Sequence, residues 1–259
     1  MVKKILKIAL WVITGAALVV LFIFGRKWYL ETPLKGIAFQ LERSHRNGFV
    51  EKDSVVSFAK AICDIEHNAA ISTVNMSKIQ QLLDRNPWLE SASAYIGLND
   101  TLIIKAKEYE PVLRVYNQDK RSVYVTKEGI LFPSNPLYSP RVIIASGNFV
   151  FPFPTKNSRV TDSVYAHTGL SEALTIAMAV NSDPFLTGNI GQIYKDEHNE
   201  YELMVNNLSA KVILGDIDAI SDKLSRLATL LEKYSGTEEL KAYKSLNLKY
   251  KNQIVCTKQ

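Results

Sequence analysis

The run IALWVITGAALVVLFIFG, Ile8 to Gly25, holds no charged residue, and it lies between Lys3, Lys4 and Lys7 on one side and Arg26 and Lys27 on the other. Its eighteen residues would rise about 27 Å as a helix, close to the hydrocarbon thickness of a bilayer. A helix is the one open segment that satisfies every backbone N–H and C=O internally at that depth. Trp11, Trp28 and Tyr29 stand near the ends, where amphipathic rings favour the headgroup layer. The reading is a membrane-spanning helix over 8–25, including Ile8, Trp11, Leu18 and Phe24, between a cytoplasmic tail (1–7) and a juxtamembrane linker (26–35). The competing reading is a cleaved signal peptide. Against it stand the length of the run and Gly25-Arg26-Lys27-Trp28, which offers no small-x-small cleavage site.

Outward from the span, charge sets a direction. Three lysines and no acid precede it, which favours a cytoplasmic N-terminus with the remaining chain outside. Five of the 31 basic residues and none of the 26 acidic ones fall in 1–27, so the rest carries 26 of each. The net charge of +5 is thus a topology signal and gives no support to a nucleic-acid surface. Two cysteines, Cys63 and Cys256, are too few for a disulfide framework. Cys63 reads as a buried thiol on an apolar helix face, and a Cys63–Cys256 bridge is the alternative in an oxidising compartment.

After the span, Ile37, Phe39 and Leu41 alternate with polar or small residues over Gly36–Glu42, a half-buried strand. Asn47-Gly48 breaks the chain. A helical stripe follows in Val55, Phe58, Ala59, Ile62 and Cys63, with Asp53 or Ser54 as N-cap. A second helix starts at Asn75, places Met76, Ile79, Leu82 and Leu83 on one face, and stops before Pro87. Ser91–Ile96 and Thr101–Lys107 read as a hairpin around Gly97-Leu98-Asn99-Asp100. The order β-α-α-β-β over 36–110 predicts a small sandwich with two helices on one sheet face. Trp88 reads as a core plug and Pro111 as the fixed point of a linker to the next unit.

Over 111–259 the pattern is richer in strands. Expected strands are Val112–Tyr116, Ser122–Val125, Ile130–Phe132, Arg141–Ala145, Ile190–Lys195, Tyr201–Val205 and Lys211–Leu214, and Phe149–Pro154 is too proline-rich for a central strand. One helix is expected over Ser171–Asn181, capped by Ser171, with Leu174, Ala177 and Met178 inward and Asp183-Pro184 closing it. A second carries Ile217, Ile220, Leu224, Leu227, Leu231 and Tyr234, with Gly236 as its stop. The last run, Ser245 to Val255, alternates Leu246, Leu248 and Tyr250 against Asn247, Lys249 and Lys251 and reads as one closing strand. The fold class is α+β.

Several of these segments together resemble the FtsQ/DivIB family of bacterial cell-division proteins. They are Asn86-Pro87-Trp88-Leu89-Glu90-Ser91-Ala92, Leu98-Asn99-Asp100-Thr101-Leu102-Ile103-Ile104, Glu108-Tyr109-Glu110-Pro111-Val112, Val125–Phe132, Ser139–Ile143 with Gly147, Leu214-Gly215-Asp216 and the closing Leu246–Tyr250. Tyr109, Thr126, Asn247 and Lys249 depart from the Arg, Asp, Asp and Arg usual in that pattern. The resemblance implies a POTRA domain over 36–110 and a β domain over 111–259. It also implies a non-enzymatic role in the divisome, at the septum of the inner membrane. The partners implied are small single-span coiled-coil subunits of the FtsB/FtsL type and the septal peptidoglycan synthase. The coiled-coil subunits would dock on the closing strand at Leu246, Leu248, Lys249, Tyr250, Lys251, Asn252 and Gln253. Tyr250 is either the aromatic anchor of that contact or a core residue of the strand.

The sequence carries no recognisable catalytic constellation. Ser57-Phe58-Ala59-Lys60 matches S-x-x-K but lacks the Ser-Asp-Asn and Lys-Thr-Gly partners. His45, His67, His167 and His198 are scattered, with no metal-ligand spacing. Glu108 and Glu110 read as a solvated strand exit. No catalytic residue, metal or cofactor is expected. An envelope-assembly or export factor with POTRA units is the rival reading, although no tandem repeat is visible. A membrane-tethered hydrolase lacks its constellation.

Overall fold

The computed structural model describes residues 2–43, 47–63, 70–234 and 239–258. Helix α1, Val2–Glu31, runs through the apolar stretch and on past Arg26 and Lys27, so most of the expected linker is helical. No residue in it breaks the i to i+4 ladder before Thr32 and Pro33. Its apolar side chains are exposed all round, Trp11 at 76% and Phe24 at 69%. Only the last turn of α1, where Leu30 is half-buried, meets the short turn at Ile71–Thr73. A helix hydrophobic on every side and otherwise uncovered among the described residues belongs in an apolar solvent. By length and composition, Leu6–Glu31 is fit to cross a membrane.

The chain divides into two compact units, Met1–Arg43 with Val50–Glu108, and Ser44–Phe49 with Tyr109–Gln259. Beyond α1, the first unit holds β1 (Gly36–Glu42), α2 (Lys52–Cys63), α3 (Met76–Arg85), β2 (Leu89–Ile96) and β3 (Thr101–Glu108). The sheet order is β1-β3-β2, with β1 parallel and β2 antiparallel to β3. Leu102, Ile104 and Ala106 of central β3 are buried, as are Ile79 and Leu83 of α3. Asn75 caps α3, its Oδ1 accepting from the Lys78 N–H at 2.9 Å.

Three expectations in this unit change. Asp53 lies inside the first turn of α2 and does not cap it. Phe58 points outward at 53% exposure, because Ala59 with the half-buried Val55 and Val56 forms the inner face. Trp88 is only half-buried, in the turn leading to β2. The side chains of Ile62 and Cys63 lie outside the described residues, and with them the Cys63–Cys256 alternative.

The second unit is a nine-stranded mixed sheet, ordered β12-β11-β10-β9-β8-β7-β4-β5-β6. In chain order its strands are β4 (Pro111–Tyr116), β5 (Ser122–Thr126), β6 (Leu131–Pro133), β7 (Ile143–Gly147), β8 (Ile190–Lys195), β9 (Tyr201–Val205), β10 (Lys211–Gly215), β11 (Tyr243–Asn247) and β12 (Val255–Lys258). Helices α4 (Leu170–Asn181) and α6 (Ile220–Lys233) share one core with the sheet, and the short α5 (Pro184–Asn189) follows α4. Leu113, Val115, Val123, Ala145, Ile193, Leu203, Val212 and Leu246 alternate inward to the helix-covered face. At β5 and β6 the opposite face is buried too, with Tyr124 and Phe132 packed around Phe49. Phe149 and Phe151 fill the core from a loop. At Gly147 φ is +105°, and a Cβ there would sit 2.1 Å from the Lys195 carbonyl oxygen, so only glycine fits between β7 and β8.

Pro111 is the first residue of β4 and not a linker; a strand's opening position tolerates its missing N–H. Helix α4 begins after Gly169 at φ 86°, and the Ser171 hydroxyl donates to the Val160 carbonyl instead of capping. The inward face of α4 is Leu170, Ala173, Ile176, Ala177 and Val180, so Met178 is exposed. Asp183-Pro184 closes α4 and also opens α5, with the Asp183 carboxylate accepting from the Phe185 and Leu186 N–H groups. Helix α6 starts three residues later than Ile217, after Ala219 at φ 52°. The expected stop, Gly236, lies outside the described residues.

Candidate partner-docking edge

The closing run is not one strand. β11 ends at Asn247, a turn covers 250–252, and β12 returns antiparallel with Cys256 opposite Leu246. Asn252 takes the left-handed conformation, φ 60°, at the reversal. The alternation Leu246, Leu248, Tyr250 therefore stops short. Leu246 and Leu248 are fully buried, whereas Tyr250 is 50% exposed on the turn. Lys249, Lys251, Asn252 and Gln253 are exposed on the same reversal, with Lys249 alone anchored through an ion pair to Glu200. The period-2 pattern carried no signal for where the strand bends; Asn252-Gln253 was the only local hint.

The reversal is pinned from two sides. The Leu248 N–H donates to the Ile213 carbonyl at 2.9 Å, extending the β10 pairing by one residue. Asn247 accepts the Lys249 N–H on its Oδ1 at 3.0 Å, a role an aspartate would also fill. The Lys249 stem lies over Gly215, where a Cβ would meet its Cγ at 2.7 Å with φ at +75°. From α6, the Arg226 guanidinium donates to the carbonyls of Tyr250 (2.9 Å), Leu248 (3.3 Å) and Gln253. Its Nε holds Asp222 one turn back at 3.1 Å.

The two margins of the large sheet differ. Outside β6, the Leu131 N–H donates to the Ser158 carbonyl at 2.8 Å and Ile130 bridges Arg159, so a loop covers that margin. Among the described residues no strand covers the outer side of β12. An uncovered margin presents a row of backbone donors and acceptors to an incoming strand. The hairpin 243–258 bears Lys244, Lys249, Lys251 and Lys258 and no acid, and such lysines deter a second copy of the same edge.

The residues weighed for chemistry are not brought together. Ser57 and Lys60 are exposed on α2. His167 and His198 are exposed on separate turns, and His45 and His67 lie outside the described residues. Glu108, expected at a solvated exit, is buried, and its Oε1 accepts the Val50 N–H at 2.9 Å. Among the described residues no cluster of three or more metal-binding side chains occurs. The buried ionisable groups are structural. Lys223 donates to the Asp216 carboxylate and carbonyl at 2.7 and 2.9 Å, closing the turn from β10 to α6, and its hydrogen bond holds the Asp216 carboxyl below the usual range. Lys195 lies under Gly169 and donates to the Thr168 carbonyl at 3.3 Å. Burial pushes its ammonium down and the neighbouring Tyr201 phenol up.

A family model described as FtsQ/DivIB, C-terminal related, matches residues 110–257, more than half of the chain. The chain belongs to this family. No curated protein matches the sequence. FtsQ/DivIB proteins act in bacterial cell division as non-enzymatic components, and their partners are other division proteins. The apolar α1 is consistent with a single pass of the inner membrane. The matched segment begins just before β4 and ends inside β12, so it takes in the whole hairpin. Thr126 and Asn247, two positions that depart from the residues usual in the pattern, both act as hydrogen-bond acceptors here. Thr126 is buried, and its hydroxyl accepts the Ile130 N–H at 3.2 Å in the turn before Gly129. Asn247 supplies the acceptor described above.

Proposed function

We propose that this FtsQ/DivIB-related protein is a bitopic scaffold of the divisome. Its N-terminus lies in the cytoplasm, α1 spans the inner membrane, and the two units lie outside, the first as a POTRA domain. The scaffold links early to late division proteins at the septum and so controls septal wall synthesis, performing no chemistry of its own. Its partners are the small single-span coiled-coil subunits of the FtsB/FtsL type, with the septal peptidoglycan synthase reached through the same assembly.

Docking is by strand addition to the outer side of β12, with Tyr250 and the lysine-bearing turn at its end. The single observation that carries this reading is the asymmetry of the sheet: a loop covers β6, whereas among the described residues nothing pairs with the outer side of β12. Backbone pairing supplies affinity there, and an exposed aromatic such as Tyr250 supplies an anchor. Leu246 and Leu248 support the hairpin from the core and do not touch the partner.

The test is co-purification of a co-expressed coiled-coil subunit with the full chain, scanned with proline over Val255–Lys258. An added strand uses the N–H of every second residue. Capture should fall at alternate positions, and also with Tyr250→Glu. Undiminished capture by every variant would refute docking at β12.

A further inference from the structure

We infer that Arg226 is the positioning residue of the docking edge: from α6 it clasps the β11–β12 reversal by its carbonyl oxygens and keeps β12 in line with the sheet. The inference rests on the reading of β12 as the docking edge.

A four-residue outer strand has little to hold it. Among the described residues it pairs on one side only, and Val255, Thr257 and Lys258 are exposed, leaving Cys256, with Ile254 just before the strand, as half-buried contacts with the core. A marginal strand of this kind frays unless its turn is fixed. The turn is fixed from outside the sheet. Three carbonyls of one short segment, those of Leu248, Tyr250 and Gln253, converge on a single guanidinium. The Arg226 side chain is 18% exposed, and Asp222 at i−4 holds its Nε, so the fork is oriented before the loop is met. Arg226 spans both ends of the reversal: Leu248 leaves β11 and Gln253 approaches β12.

The residue type matters. A guanidinium carries five N–H donors in a planar fork, and here it serves three carbonyls and a carboxylate at once. An ammonium has three donors and would have to abandon some of them. Arginine to lysine is therefore not conservative at this position. The guanidinium is also spent on the loop carbonyls and Asp222, so its role is to present the edge and not to meet the partner.

The experiment is hydrogen–deuterium exchange on the full-length protein in detergent, for wild type, Arg226→Lys, Arg226→Ala and Asp222→Asn. It is joined to capture of a co-expressed coiled-coil division subunit. The expected result is at least about a tenfold faster exchange in Val255–Lys258 for both Arg226 variants and a smaller increase for Asp222→Asn. Exchange in β8, β9 and α4 should be unchanged, and capture should fall in the same order. If Arg226→Ala does not fold, the Lys and Asn variants carry the test. Unchanged exchange in 255–258 for the variants that fold overturns the inference, whatever the partner does. Faster exchange with undiminished capture also overturns it. In that case proline variants of β12 show whether the docking reading has failed as well, because capture would survive those too.

Discussion

Leu246 and Cys256 face each other across the β11–β12 pair, the first fully buried and the second half-buried. That register makes the final four-residue strand part of the folded sheet, so the chemistry of Cys256 reports on whether the edge is formed. Burial pushes its thiol up, away from the reactive thiolate. In a Cys63→Ser chain, alkylation of Cys256 at pH 8 should run at least about tenfold slower in the folded protein than in urea. Equal rates would mean that β12 is not seated on β11.

The Asp216–Lys223 pair gives a pH-dependent test. Lys223 holds the Asp216 carboxyl below its usual range, so the folded chain binds that proton less readily than the unfolded chain. The stabilisation is present above pH about 4, the unfolded value, and is lost as pH falls through the lower folded value. Asp216 is largely exposed, which screens the pair. Asp216→Asn should therefore cost about 1 kcal/mol at pH 7 by denaturant unfolding, with the difference from wild type vanishing towards pH 2.

Lys195 works with the opposite sign. Its ammonium is pushed down by burial, which Glu172 only partly offsets, so at neutral pH the folded state bears a desolvation cost. That cost fades as pH rises towards the unfolded lysine value of about 10.4. Lys195→Met should match or exceed wild-type stability at pH 7, by up to about 1 kcal/mol, and lose that advantage by pH 10. A loss of several kcal/mol at pH 7 would show that Lys195 holds the Gly169 turn by its hydrogen bond instead.

Gly147→Ala should destabilise the second unit by at least about 2 kcal/mol, because the new methyl meets a backbone carbonyl that no rotamer change can move. Thermal unfolding of the purified chain measures it. A shift within error would mean that β7 and β8 can part at no cost.

Much of this architecture was legible because period and punctuation agreed. The run from Ile8 to Gly25 needed only its length and lack of charge. Asn75 and Pro87 bracketed α3 within a residue, and the Gly97–Asp100 turn marked the β2–β3 hairpin. What was not legible depended on distant partners. Nothing in Leu246–Tyr250 says that Arg226, more than twenty residues earlier, will bend the run away from strand, so side chains expected at an interface lie partly in the core. Met178 and Phe58 fit a helical stripe by spacing but point outward, since the inner face was set by which neighbours arrived and not by hydrophobicity alone. Glu108 looked solvated for the same reason: its partner, the Val50 N–H, comes from the loop after β1.

The most direct test of the account is photo-crosslinking in dividing cells, with a photoreactive phenylalanine analogue placed singly at Val255, Thr257, Tyr250 and, as controls, Ser171 and Thr229 on the helical side of the sheet. The account predicts adducts to a small single-span division protein from the three positions on the hairpin and none from the two controls. Adducts arising only from the controls, or none from any of the three hairpin positions in cells that divide normally, would contradict it.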